Sequence, residues 1–402
     1  MMPALRRNRN FVLLAVGQGV SRLGDGLYAA ALVWTAWELT LTPSEVGLVA
    51  LAAGLPTFVA GVVGSSYADR YDRRRLMIGS DVARAVLLVP IPLLLQADRL
   101  DAVSLAALAA VVGIAGGPFA PARNALVPSV VGEESLLQAN ALLQVSFRSA
   151  FFVGPLLFAP AQALFGLSGV FVLDIATFVC SALTLTLMRL RPMRQERERP
   201  GLITDLREGL EALRAAPDVA VVIATFTLAI LAASGFLTVG VATLVGTKLD
   251  AGGGAYGLLL GIAGMAEVVG ALVLVRIRLH DLARTAVLAW VLLGLFRLPL
   301  GLVTSLAGAG ALLAGTGFAS AITDIPVIAL VQRRIPDRHL AKALGLWEAG
   351  IGAGLALAPP VAGFILQRAG VEWGFAISGV VLIGIGLAAA AVLHRVSPPP
   401  RS

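Results

Sequence analysis

This chain predicts an all-α integral membrane protein, and three observations carry that expectation. Its 402 residues are 58% hydrophobic and only 14% charged, against about 25% charged in soluble domains, and mean hydropathy is +0.88. The apolar residues fall into twelve runs, close to the roughly 20 residues that a bilayer-spanning helix needs. The remaining charges are sorted by side. With the N-terminus in the cytoplasm, about 24 of the 31 Lys and Arg fall in cytoplasmic segments and about three outside, namely Arg99, Lys248 and Arg368. That asymmetry is what the positive-inside rule gives for two cytoplasmic termini.

Charges and turn residues separate the expected spans 11–38, 45–68, 76–96, 102–122, 137–165 and 169–188, then 218–247, 254–275, 283–303, 306–331, 340–367 and 373–394. The first follows Arg6, Arg7 and Arg9 and runs on through Trp34 and Trp37 with no convincing cleavage site, so it reads as a retained helix and not a signal peptide. The second and third flank a short, densely charged loop. The fifth contains Gly154-Pro155, the tenth Asp324-Ile325-Pro326, and the eleventh Ala358-Pro359-Pro360 after Gly350, Gly352 and Gly354. Proline inside a span frees a backbone carbonyl and bends the helix, which makes Gly154, Pro155, Pro326, Pro359 and Pro360 the expected bending points.

Between the sixth and seventh spans lies an Arg- and Glu-rich linker. Ile203, Leu206, Leu210 and Leu213 recur in it at helical spacing. Asp205 and Glu208 resemble a capping box with Asp in place of Ser or Thr. The linker is expected to hold an amphipathic helix on the inner membrane surface. An internal repeat divides the spans six and six. A shift of 204 residues lays Ala125-Leu126-Val127 on Ala329-Leu330-Val331, and pairs Pro155 with Pro359, Gly166 with Gly370 and Phe171 with Phe375. The expected domains are 1–188, the linker 189–216, and 217–402.

The loop after the second span reads Gly64-Ser65-Ser66-Tyr67-Ala68-Asp69-Arg70-Tyr71-Asp72-Arg73-Arg74-Arg75. Six charges with no room for a domain make a tight cytoplasmic turn between two membrane helices. The loop resembles the one between helices 2 and 3 of the major facilitator superfamily, roughly Gly-x-x-x-Asp-Arg-x-Gly-Arg-Arg. Asp69, Arg70, Arg73 and Arg74 occupy matching positions, while Ser65 and Asp72 replace the two glycines. The Asp variant looks like the branch of siderophore exporters, macrolide efflux proteins and lysophospholipid flippases. Gly154-Pro155 partly resembles the antiporter signature of drug exporters. The resemblance implies twelve transmembrane helices in two pseudo-symmetric six-helix halves. It also implies a cytoplasmic gate at Asp69, Arg70, Arg73 and Arg74, with Asp69 set against the start of the eleventh span near His339.

Composition excludes several other classes. The single Cys180 lies in an apolar segment and His280, His339 and His394 lie far apart, so neither a disulfide framework nor a metal cluster is expected. Lys248 and Lys342 are the only lysines, and no phosphate-binding Gly-x-x-x-x-Gly-Lys loop exists. Pumping must therefore draw on an ion or solute gradient, with no cofactor. The net charge of +7 follows the membrane sides and does not signal nucleic acid.

Charges inside spans cost about 2.5–3.5 kcal/mol each at a helix centre, so each needs a reason. Arg22 and Asp25 share a face of the first span with Gln18. Asp25 fits either a proton-titrating carboxylate or half of an ion pair that makes the span insertable. Asp81 and Arg84 repeat the spacing near the cytoplasmic end of the third span, where a structural role fits. Arg148 has no acidic neighbour within a turn of its own helix, so it needs a partner across the bundle or an anionic substrate. In facilitator folds the fifth, eighth, tenth and eleventh helices line the cavity. That resemblance makes Asn140, Gln144 and Arg148, with Gln18 and Arg22, the cavity candidates. It adds Asp324, Glu267 and Glu348 to Asp25 as proton-coupling candidates. Asp174 and Arg297 belong to helices that are peripheral in that family and are expected to snorkel or pair near the outer ends.

The expected function is secondary active transport by alternating access, as proton-coupled efflux of a drug-like or siderophore-like molecule. A lysophospholipid flippase, an importer and a non-transporting membrane sensor are the alternatives. Expected partners are a small-molecule substrate, protons and membrane lipids, for a monomer in a bacterial cytoplasmic membrane. Cavity specificity is assembled from several helices, so the sequence ranks no substrate.

Overall fold

The structure is a computed structural model describing residues 5, 7–68, 71–132, 135–189, 202–277 and 279–396. Among the described residues every regular element is helical. In order these are α1 (Arg9–Thr40), α2 (Pro43–Ala68), α3 (Arg73–Leu88), α4 (Pro90–Gln96), α5 (Ala102–Gly116), α6 (Phe119–Val131), α7 (Leu136–Leu187) and α8 (Leu202–Ala215). Then come α9 (Pro217–Gly235), a π-helical turn (Phe236–Gly240), α10 (Val241–Thr247), α11 (Gly253–Leu274), α12 (Leu282–Arg297), α13 (Leu306–Arg334) and α14 (Asp337–Val396). Nine helical stretches among the described residues are long and apolar enough to cross a membrane. At 32 residues α1 is also long enough, though it carries Arg22 and Asp25 mid-length.

Helix starts are set by side chains that capture the otherwise unpaired first-turn amides. Asn8 accepts from the Phe11 amide, Asp72 from Arg75, Asp101 from Ser104, Asp281 from Arg284 and Ser305 from Gly308, at 2.7–3.2 Å. The position of Asp72 explains its presence in the charged loop. It caps α3, a task the glycine of the facilitator pattern has no side chain to perform.

Two long helices are each interrupted once. Helix α7 breaks only at Gly166 (φ 66, ψ 176) and α14 only at Gly370 (φ 77, ψ 174). That backbone region is nearly closed to residues with a Cβ, so glycine is what lets the chain turn there. These are the two glycines paired by the 204-residue repeat, and Phe171 and Phe375 five residues on are both fully buried. Pro155, Pro326, Pro359 and Pro360 stay inside helices whose backbone dihedrals show no break at them.

The chain divides into two compact units. The first is Met1–Glu196 with Ala251–Gly261, the second Arg197–Asp250 with Ile262–Ser402. In the first unit α1 packs chiefly on α7. Its core includes Leu14, Met77, Phe119, Leu126 and Leu185. Segment 251–261 joins it through Tyr256, which stacks on Trp34 at 5.7 Å and meets Phe158 edge-on. In the second unit Phe226 sits edge-on to both Trp290 and Trp347 at 5.4 and 5.6 Å, each such pair contributing about 0.5–1.5 kcal/mol beyond burial.

The linker helix differs from expectation at its start. It begins at Leu202, so Asp205 lies inside its first turn and is not its cap. It is also latched to protein: Glu208 accepts from Lys342 at the start of α14, Gly209 lies against Leu346, and Ala212 and Leu213 are buried. Leu210 remains exposed. The Lys342 ammonium on its carboxylate holds Glu208 below the usual carboxylate range.

Candidate functional site

Between Leu14 and Leu27 the buried face of α1 carries no large apolar side chain. Gly17, Gln18, Ser21 and Gly24 recur there at helical spacing, all buried. Opposite runs a polar stripe on the second arm of α7: Asp174, Thr177, Ser181 and Thr184, also at helical spacing. Membrane helices gain little from burying apolar groups against each other, so close approach of small residues and interhelical hydrogen bonds take over. Gly17 sits where any Cβ would meet Thr184, and Gly24 where it would meet both Thr177 and Asp174. Gln18 donates to the Ser181 hydroxyl at 3.5 Å.

A charge network fills this seam. Arg22 reaches Asp25 at 3.4 Å. The other oxygen of Asp25 takes Arg84 from α3 at 3.2 Å, and Arg84 also holds Asp81 at 2.5 Å. Arg84 is therefore shared between two carboxylates. Its guanidinium lies 4.1 Å from the Phe178 ring centroid and 5.0 Å from that of Phe119, and its stem rests on Gly116. A planar cation suits that sandwich as an ammonium does not. Asp81 is fully buried, while the Asp25 side chain is 32% exposed. Asp25 is thus the more exposed of these two carboxylates.

Two more groups join. Asp174 is fully buried, accepts from Thr177 at 3.2 Å through Oδ1, and lies within electrostatic reach of Asp25, Arg84 and Asp81. It belongs to the interior of the seam and does not snorkel, because the glycine at position 24 leaves room for it beside α1. Arg123 on α6 lies in reach of Arg22 and Asp25 and is bonded to Asn124 at 3.0 Å. The sequence reading overlooked Arg123 and misplaced Asp174. The Asp174, Thr177, Ser181, Thr184 periodicity was the available signal for the latter.

The other expected residues distribute as follows. Arg73 donates to the Ala125 carbonyl at 3.0 Å, and Arg74 to the carbonyls of Leu185 and Thr186 at 2.6 Å each. The Arg74 cation thus satisfies the open C-terminal carbonyls of α7, where the helix dipole favours it. Arg84 pairs with Asp25 and Asp81. Asp69 and Arg70 lie outside the described residues, as do the side chains of Gln144 and Arg148. Asn140 is exposed on α7. Gly154 packs on Gly26 of α1. In the second unit Asp324 and Glu267 are half-buried and Glu348 exposed, and Asp324 accepts from Thr323 at 3.4 Å. Arg297, expected to snorkel or pair near the outer end, closes α12, is 3% exposed and donates to the Ala233 carbonyl at 2.7 Å. That carbonyl lies just before the π-helical turn.

Among the described residues, apolar helical spans around a charged seam inside one unit fit a membrane transporter of the major facilitator type. A model of the family described as transmembrane secretion effector matches residues 3–401. The chain belongs to that family. It is 25% identical to the uncharacterized MFS-type transporter YfiS of Bacillus subtilis, over 96% of this chain and 93% of that protein. It is 27% identical to the enterobactin exporter EntS of Salmonella choleraesuis, over 98% and 96%. A multidrug efflux pump, Tap of Mycolicibacterium fortuitum, is 28% identical over 42% of each chain. Among solved structures, a peptide transporter POT in complex with sulfate superposes with TM-score 0.79 over 96% of this chain and 95% of that one, at 11% identity. A bacterial homologue of the lysosomal transporter Spinster gives 0.74 over 96% of each, at 13%. These structures share the fold.

Proposed function

We propose that the protein is a proton-coupled exporter of a drug-like or siderophore-like small molecule, working by alternating access in a bacterial cytoplasmic membrane with both termini inside. The observation that carries the coupling is Asp25, a partly exposed carboxylate mid-length in a membrane helix, held by two arginines. Such a group changes its proton affinity with its distance from either guanidinium. A movement that separates Asp25 from Arg84 would favour the protonated acid, and a return would expel the proton. The direction of transport is supported by the multidrug, macrolide and enterobactin exporters among its relatives.

Inside-out vesicles containing the full chain, energised to an acid interior and followed with a pH-sensitive dye, test this. Addition of ethidium, erythromycin or a catecholate siderophore should draw protons out through the wild type. Asp25→Asn should bind the same compound without moving protons. Uphill accumulation by Asp25→Asn at the wild-type rate would remove Asp25 from the coupling step.

A further inference from the structure

The charge network leaves one carboxylate unaccounted for. Asp174 is wholly buried, yet among the described residues no guanidinium touches it. Its Oδ1 receives only the Thr177 hydroxyl, and its Oδ2 has no hydrogen-bond partner. An ionised carboxylate in a site like this costs many kcal/mol, and such groups neutralise instead. The groups facing it can be named element by element. From its own helix comes Thr177, and from α1 come Asp25 and the Tyr28 phenol, with Gly24 in contact. From α3 come Asp81 and Arg84, and from α6 Arg123 reaches only as far as Arg22 and Asp25. Among the described cations, Arg84 is the one that acts on Asp174 directly, and it is already bound by Asp25 and Asp81.

We infer that Asp174 is held as the neutral carboxylic acid at neutral pH, and that it exchanges its proton with Asp25 while Arg84 follows the negative charge. The exchange is balanced. The O–H bond at Asp174 breaks, the proton is taken by the Asp25 carboxylate, and the network's net charge is unchanged. Arg84 is placed for the second half of the step. Its guanidinium lies on the Phe178 ring, one helical turn from Asp174 on the same helix. Gly24 keeps the path short, because the acid lies against α1 at the residue before Asp25. Asp25 would then be the port of the network and Asp174 its internal store. This relay rests on the proton coupling proposed above.

The protonation state has a test that needs no substrate. Infrared spectra of the purified full-length protein in lipid at pH 7, in H2O and in D2O, should show a protonated carboxyl C=O band that shifts in D2O and is missing in Asp174→Asn. Because the amide replaces a neutral acid, Asp174→Asn should also melt within about a degree of wild type, whereas replacing an anion that anchored Arg84 would lower Tm by several degrees. Absence of the band from wild type, or its persistence in Asp174→Asn, overturns the neutral assignment. The relay is read in the vesicles described above with the same compounds. Asp174→Asn should retain downhill movement and lose the dependence of transport on pH. A coupled wild type with an unchanged pH profile in Asp174→Asn overturns the relay alone, and a wild type with no proton dependence overturns both relay and coupling.

Discussion

Replacing Arg84 by Met, which keeps most of the stem volume and removes the cation, isolates what holds the seam together. Asp81, fully buried, loses its 2.5 Å partner, and breaking a buried pair from one side costs about 3–5 kcal/mol. The two ring contacts at 4.1 and 5.0 Å add a smaller loss, about 0.5–2 kcal/mol together. Asp25 contributes little, being about a third exposed and retaining Arg22, so solvent screens its share. A net loss of about 4 kcal/mol follows, dominated by the stranded Asp81. With an unfolding entropy of about 2 cal/mol/K per residue, Tm falls by about 5 °C. Purified protein in detergent, followed by tryptophan fluorescence on heating, reads this directly. The double variant Arg84→Met with Asp81→Asn removes the stranded charge and should recover more than half of the loss. If the single variant melts within a degree of wild type, or the double variant is no better than the single, the seam is not organised around Arg84.

Gly166→Ala and Gly370→Ala should each destabilise by about 1–3 kcal/mol, because both positions hold a backbone conformation hostile to a Cβ. Gly79→Ala, in ordinary helical backbone with open space around it, should be neutral or better, and equal melting of all three variants would contradict this reading of the two turns. The Glu208–Lys342 latch should be pH-dependent in one direction only. Glu208 is held below the usual carboxylate range in the folded chain, so its contribution is fully present above the unfolded value and vanishes as pH falls through the folded one. The Tm difference between wild type and Glu208→Gln should hold steady from pH 8 to pH 6 and shrink on further acidification. A difference that stays flat down to acid pH would show that the latch does not involve an ionised Glu208.

Much of the architecture is one-dimensional information, since a bilayer constrains each helix by itself. Length and apolarity were enough to place most of the observed helices within a few residues, although the fourth expected span, 102–122, continues to Val131. A backbone in hydrocarbon has to satisfy its own hydrogen bonds, so the choice of helix was never in doubt. The 204-residue repeat even picked out Gly166 and Gly370, because a turn with positive φ admits little else. Local pairs such as Arg22 with Asp25 were legible for the same reason, a fixed spacing on one helix.

What tertiary structure alone decided is which charges share a partner. Asp25 and Arg84 are 59 residues apart, and no periodicity on either helix says that one guanidinium serves both Asp25 and Asp81. Asp174 was misread as peripheral because its helix is peripheral in related folds. Its real environment depends on a missing side chain on another helix, at Gly24, which gives the carboxylate a place to sit. For Arg297 a partner was expected but not which one, since the carbonyl it serves belongs to a helix 64 residues away in sequence. Helix placement follows from each segment's own solvent preference, whereas the pairing of buried charges follows from distances that only the packed bundle sets.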